Sequence, residues 1–150
     1  MTTDILVVDD EPDIRDLISG VLEDEGYAVR SAATAAKALE EVRKRAPGLI
    51  ILDVWLQGSD MDGLSVLKFI KSIDPLIPVI VISGHGNIET AVQAIRLGAY
   101  DFIEKPFEAD RLLLVIDRSL ETYRLKRENQ ELRQRAGGNV ELIGESAGIN

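Results

Sequence analysis

Four apolar residues, Leu49-Ile50-Ile51-Leu52, run unbroken into the carboxylate of Asp53. An uninterrupted apolar run rich in branched side chains suits a strand covered on both faces, the situation of a parallel sheet. Ligands of such sheets collect just outside the carboxyl ends of the strands, and Asp53 falls at that end. The pattern recurs along the chain. Asp4-Ile5-Leu6-Val7-Val8 leads into Asp9-Asp10-Glu11-Pro12, and Val79-Ile80-Val81-Ile82 leads into Ser83-Gly84. Tyr100-Asp101-Phe102-Ile103 leads into Glu104-Lys105-Pro106, and Tyr27-Ala28-Val29-Arg30-Ser31 reads as a further short strand.

Helical spacing fills the gaps. Ile14, Leu17, Ile18, Val21 and Leu22 form one apolar face after Pro12, with the acidic Glu11 as N-cap and Gly26 as the stop. Thr34 caps a helix carrying Ala35, Ala38, Leu39 and Val42, closed by Pro47-Gly48. Leu64, Leu67, Phe69 and Ile70 mark a third helix. Asn87 caps a fourth, carrying Ile88, Ala91, Val92 and Ile95, and Gly98 stops it. The last begins near Phe107 and runs past Leu120. Five strand–helix units in strict alternation predict an α/β fold, a doubly wound five-stranded parallel sheet with helices on both faces and an extended C-terminal helix.

The bulk numbers narrow the function. The 150 residues suit one domain with a tail, and the absence of cysteine excludes disulfides and thiolate metal sites. The start, Met1-Thr2-Thr3-Asp4, lacks the features of a signal peptide, and no run is long enough to span a membrane; a cytoplasmic location is expected. The net charge of -9 sits on the first 122 residues, because residues 123–150 carry a small positive excess. An acidic body argues against direct nucleic-acid binding by these residues.

The strand ends carry the chemistry. Asp9, Asp10, Asp53, Ser83 and Lys105 each have a bland reading as a cap, a turn residue or a surface charge. Together they meet at one crevice. Three clustered carboxylates repel one another unless a cation sits among them, and hard oxygen donors without sulfur or nitrogen favour Mg²⁺ or Mn²⁺. A carboxylate there can attack phosphorus, with lysine and metal steadying the charge on the transferring oxygens.

These residues resemble the receiver domain of two-component response regulators. Val7-Val8-Asp9-Asp10-Glu11 is similar to that family's acidic pair, Ile51-Leu52-Asp53 to its phosphoacceptor, Ser83-Gly84 to its Ser/Thr position and Lys105-Pro106-Phe107 to its Lys-Pro pair. The resemblance covers about residues 4–122. It implies a flavodoxin-like strand order of 2-1-3-4-5. It implies that Asp53 accepts a phosphoryl group from a phosphohistidine of a partner histidine kinase, and that the chain is a switch, not an enzyme with a foreign substrate. Asp10 and Asp53 would ligate Mg²⁺ directly, Asp9 through water, and Trp55 through its backbone carbonyl. Lys105 would pair with the phosphoryl oxygens, Ser83 would move toward them, and Phe102 would hold the aromatic switch position. Lys105-Pro106 is expected to be cis. Two departures stand out: the loop from Asp53 to Asp62-Gly63 is two residues longer than the family's usual stretch and lacks its proline, and Phe102 has no hydroxyl. His85 and Gly84-His85-Gly86 read as an ordinary exposed loop.

The tail divides the chain into a receiver unit at 1–122, a helix at 123–138 and a further start at 139–150. No helix breaker appears before Gly137-Gly138. Leu125 and Leu132 are seven apart, and Asn129 falls at an a position if they are d positions, the pattern of a parallel dimer helix. Arg118 and Thr122 continue that seam poorly, so a solvated linker helix stands beside the dimer reading. A homodimer is the preferred expectation. Val140-Glu141-Leu142-Ile143-Gly144-Glu145-Ser146 resembles the start of the ATPase domain of NtrC-type transcription activators, the NtrX branch in particular. That resemblance implies a larger DNA-binding transcription regulator of which this chain is the switch, cut short before any phosphate loop. Two other functions meet obstacles. A phosphatase of the haloacid-dehalogenase type needs a second aspartate where Trp55 stands, and a flavodoxin needs a Ser/Thr-rich phosphate loop where Asp9-Asp10-Glu11 would repel phosphate.

Overall fold

The computed structural model describes residues 3–54, 63–84 and 88–140, with the backbone alone at 130 and 133–140. Strands and helices alternate as β1 (Asp4–Val8), α1 (Pro12–Asp24), β2 (Ala28–Ala32), α2 (Ala35–Lys44), β3 (Leu49–Asp53), α3 (Gly63–Ile73), β4 (Val79–Ser83), α4 (Ile88–Arg96), β5 (Asp101–Glu104) and α5 (Ala109–Val140). All pairings are parallel, in the order β2-β1-β3-β4-β5.

The branched runs explain the central strands. Every residue of β3 and β4 is buried, because the side-chain alternation of a strand sends half of each run to either face and both faces are covered. Leu6, Val8, Ile50, Leu52, Val79 and Val81 pack on one side with Ala38 and Val42 of α2, Val66, Leu67 and Ile70 of α3, and Ala94 of α4. Ile5, Val7, Leu49, Ile51, Ile80 and Ile82 pack on the other with Ile18 and Leu22 of α1 and Leu112, Val115 and Ile116 of α5.

The local signals hold in most places. Pro12 opens α1, although the Glu11 side chain makes no capping hydrogen bond. Thr34 accepts from the Lys37 N–H at 3.2 Å and caps α2. Gly26 (φ 91°) and Gly98 (φ 109°) take the left-handed backbone that ends α1 and α4. The Asn87 cap lies outside the described residues.

Three details go beyond the sequence pattern. In α4 the buried positions are Ala91 and Ala94, whereas Ile88, Val92 and Ile95 are 54%, 42% and 40% exposed. Helix α4 approaches the sheet on its small residues, and that close approach turns the large ones outward. In α3 the core positions are Val66, Leu67 and Ile70, and Phe69 is half-buried with the Arg43 guanidinium 5.5 Å from its ring centre. Helix α5 continues through Gly137-Gly138 to Val140, since glycine lowers helix propensity without forbidding the helical backbone.

Candidate functional site

Sheet register builds the site. Val8 of β1 lies opposite Leu52 of β3, so Asp9 and Asp53 leave adjacent strands side by side. Asp53 also lies opposite Ile82 of β4, which puts Ser83 one residue further out. Ser83 is buried, and its carbonyl accepts from the Lys105 N–H at 2.8 Å, which ties the end of β5 to that of β4. The Lys105-Pro106 peptide is cis.

The turn after β1 is fixed from several directions. The Asp9 N–H donates to Ala32 O at 3.1 Å, and Arg15 Nη1 donates to Asp9 O at 2.6 Å. Asp9 Oδ1 accepts from the Glu11 N–H at 2.9 Å, the Asx geometry that leads a chain into a turn and here into α1. Arg15 had no signal in the sequence, because nothing about an arginine in a helix announces a backbone carbonyl as its partner.

One carboxylate oxygen from each of Asp9, Asp10 and Asp53 lies within 4.8 Å of the others. Lys105 Nζ stands 3.3 Å from Asp53 Oδ2, 3.3 Å from Asp9 Oδ2 and 3.4 Å from Glu11 Oε1. Asp9 is fully buried, and its Oδ2 meets the Lys105 ammonium at ion-pair distance without a well-formed hydrogen bond. Burial pushes the Asp9 carboxyl above its ordinary range, partly offset by the Glu11 N–H and by Lys105. Burial alone would lower Lys105, but the charges of Asp53 and Asp9 outweigh it and hold the ammonium above its usual value.

The donor set is three carboxylates with no sulfur or imidazole among the described residues, and one buried oxygen lacks a hydrogen-bond donor. Both facts suit a hard divalent cation, which adds positive charge to what Lys105 alone supplies to three carboxylates. Five of the expected groups thus share one edge: Asp9, Asp10, Asp53, Ser83 and Lys105. Phe102 does not join them. It sits on β5, opposite Val81 and half-buried against the core. Trp55, His85 and the long loop through Asp62 lie outside the described residues.

Sequence reasoning gave Gly63 no role beyond its place after Asp62. A Cβ there would come within 2.5 Å of Asp53 O and closer still to Val54 Cα, and the Gly63 N–H donates to Val54 O at 3.0 Å. The bare backbone of α3 therefore braces the end of β3 directly behind Asp53.

Comparison with known proteins gives consistent matches. The family described as "Response regulator receiver domain" matches residues 5–117. The nitrogen assimilation regulatory protein NtrX of Azorhizobium caulinodans is 62% identical over 134 residues, which cover 89% of this chain and 30% of that protein. The chain thus spans about a third of the length of the curated relatives it matches. The crystal structure of the receiver domain of NtrX from Brucella abortus is 65% identical, with a TM-score of 0.78 over 79% of this chain and 99% of that one. The solution structure of the beryllofluoride-activated NtrC4 receiver domain dimer is 45% identical, with a TM-score of 0.75 over 80% of this chain and 98% of that one.

Proposed function

The chain belongs to the response regulator receiver domain family, and from that premise we propose that it is a phosphorylation-dependent switch whose phosphoacceptor is Asp53. The observation that carries this reading is the carboxylate trio with Lys105 Nζ 3.3 Å from Asp53 Oδ2. In the proposed reaction an Asp53 oxygen attacks the phosphorus of a phosphohistidine on a partner kinase. The new O–P bond forms as the N–P bond breaks, and the imidazole nitrogen leaves with the electron pair and takes up a proton. Lys105 neutralises charge on the transferring oxygens, and Ser83 donates a hydrogen bond to one of them. Asp9, Asp10 and Asp53 would hold Mg²⁺, or Mn²⁺, with the Trp55 carbonyl as a further ligand. The ion would supply positive charge to phosphoryl oxygens during transfer. The chain acts on its own carboxylate and turns over no foreign substrate.

Similarity to NtrX extends the proposal to the whole regulator. We read residues 1–122 as the receiver, 123–138 as the linking helix and 139–150 as the beginning of an ATPase domain. In the full protein this switch would relay its state to a transcription-activating ATPase and DNA-binding region that acts in nitrogen regulation in the cytoplasm. Among the described residues no helix is long and apolar enough to cross a membrane. A homodimer is part of the reading, supported by the dimer formed by the activated NtrC4 receiver domain. Phe102 is proposed as the aromatic that reports phosphorylation on the β4–α5 face.

The decisive experiment is labelling with a small radioactive phosphodonor and Mg²⁺. The wild type should take up acid-labile, hydroxylamine-sensitive label, and Asp53→Asn should take up none. Equal labelling of the two proteins would refute the assignment.

A further inference from the structure

At the opposite edge of the sheet from Asp53, beside the amino ends of β4 and β5, a polar pocket of about 230 Å³ opens between the end of α3, the turn before β5 and α5. A five-residue strand spans roughly 16 Å, so this pocket is separate from the phosphoacceptor edge. Lys71 lines it from the last turn of α3. The Lys71 stem rests on Gly98, where an added Cβ would lie 3.4 Å from Lys71 Cε. Its Nζ donates to Pro75 O at 3.1 Å and to Ile77 O at 2.6 Å. An ammonium has three N–H groups, so one remains. Lys126 of α5 lines the same pocket, exposed and without an ion pair among the described residues. The hydroxyls of Tyr100 and Thr122, 3.5 Å apart, complete the wall.

Among the described residues no carboxylate lines this pocket, in a chain whose net charge is -9. Burial and the neighbouring Lys126 ammonium push Lys71 below its usual value, and Asp74 at the end of α3 offsets only part of that. Two lysines lining one polar cleft repel each other, and an anion between them relieves that repulsion. The hold of Lys71 on two carbonyls explains its position. It does not explain Lys126.

We propose that this pocket binds a small multiply charged oxyanion of the phosphate class between Lys71 and Lys126. Lys71 belongs to the body, whereas Lys126 stands on the part of α5 beyond Leu120. A bound anion therefore ties the start of the extended helix to the base of the domain.

The test is a titration of the chain with inorganic phosphate in EDTA at constant ionic strength, followed by amide NMR. The expected result is saturable shifts at Gly98, Ala99, Tyr100 and Lys126, competed by sulfate and not by chloride. Lys126→Met, at an exposed position, should keep the wild-type spectrum elsewhere and bind about tenfold more weakly. The double variant Lys71→Met/Lys126→Met should show no saturable shift. A parallel titration with AMP identifies the source: tighter binding than inorganic phosphate supports a phosphate ester, and weaker binding supports the free ion. The proposal is overturned by shifts that never saturate, by equal shifts in chloride, by unchanged affinity in Lys126→Met, or by shifts confined to the Asp53 edge.

Discussion

At the scale of single residues, Asp9 and Gly63 show opposite means of preparing one site. Asp9 is a buried carboxylate whose desolvation outweighs the help of the Glu11 N–H and Lys105. Its folded-state pKa lies above the ordinary 3.8. An acid raised in this way favours folding most when protonated, so its contribution is greatest below 3.8 and is lost as pH rises through the raised value. In metal-free buffer Asp9→Asn should therefore be more stable than the wild type at neutral pH, by about 1–3 kcal/mol. The gain should shrink toward acid pH, and Mg²⁺ should stabilise the variant less than the wild type. Urea unfolding at several pH values, with and without Mg²⁺, measures all three. Gly63 serves by having no side chain. Gly63→Ala must displace backbone behind Asp53, and overpacking of this kind costs about 1–3 kcal/mol and should slow labelling. Gly20→Ala is the control, since a Cβ there meets nothing within 4 Å on a helix; unfolding curves should show it neutral or slightly stabilising.

At the scale of elements, the edge strand β2 is held by an ionic network as well as by the packing of Val29 and Ala32. Arg30 donates to Asp4 Oδ1 and Oδ2 on β1 at 3.2 and 2.6 Å, to Glu41 O and Oε1 on α2 at 2.8 and 3.2 Å, and to Arg45 O at 2.8 Å. The planar guanidinium reaches three directions at once, which a lysine ammonium cannot do. Arg30→Lys should cost about 2 kcal/mol in urea denaturation, while Asp4 keeps Arg45 and Glu41 keeps Lys37 and Lys44 as partners. An unchanged midpoint would mean that packing alone seats β2. The pairing of Arg30 was not legible in the sequence, because its partners lie 11 to 26 residues away and such long-range pairing leaves no periodic trace. The sheet itself was legible, since a buried parallel strand must be apolar on both faces and the polar residue that ends it stands out. For α4 the spacing located the helix but not the side that packs. Its large apolar stripe marked a surface, and its alanines marked the core, because periodicity gives a face and not the distance at which a helix packs.

At the scale of the whole molecule, α5 settles what the domain presents to its surroundings. The helix packs Leu112, Val115 and Ile116 into the core and then continues from Leu120 to Val140, a further 30 Å or so at 1.5 Å per residue. Leu125 and Leu132 on this extension are 52% and 58% exposed, and they lie two helical turns apart on one side. Helices in proteins draw most of their stability from packing, and two exposed leucines at heptad spacing add apolar surface that a second copy can cover. A second exposed apolar set competes for the role: Ile88, Val92 and Ile95 on α4, with Leu114 on α5. The two sets make different predictions. If the extension pairs, replacing both leucines by aspartate places like charges in the seam and should weaken self-association at least tenfold, with the fold and the labelling of Asp53 retained, because neither side chain touches the body's core. Light scattering over a concentration series measures the constant. An unchanged constant in Leu125→Asp/Leu132→Asp, lost instead in Val92→Asp, would move the contact to α4 and leave the extension as a solvated spacer.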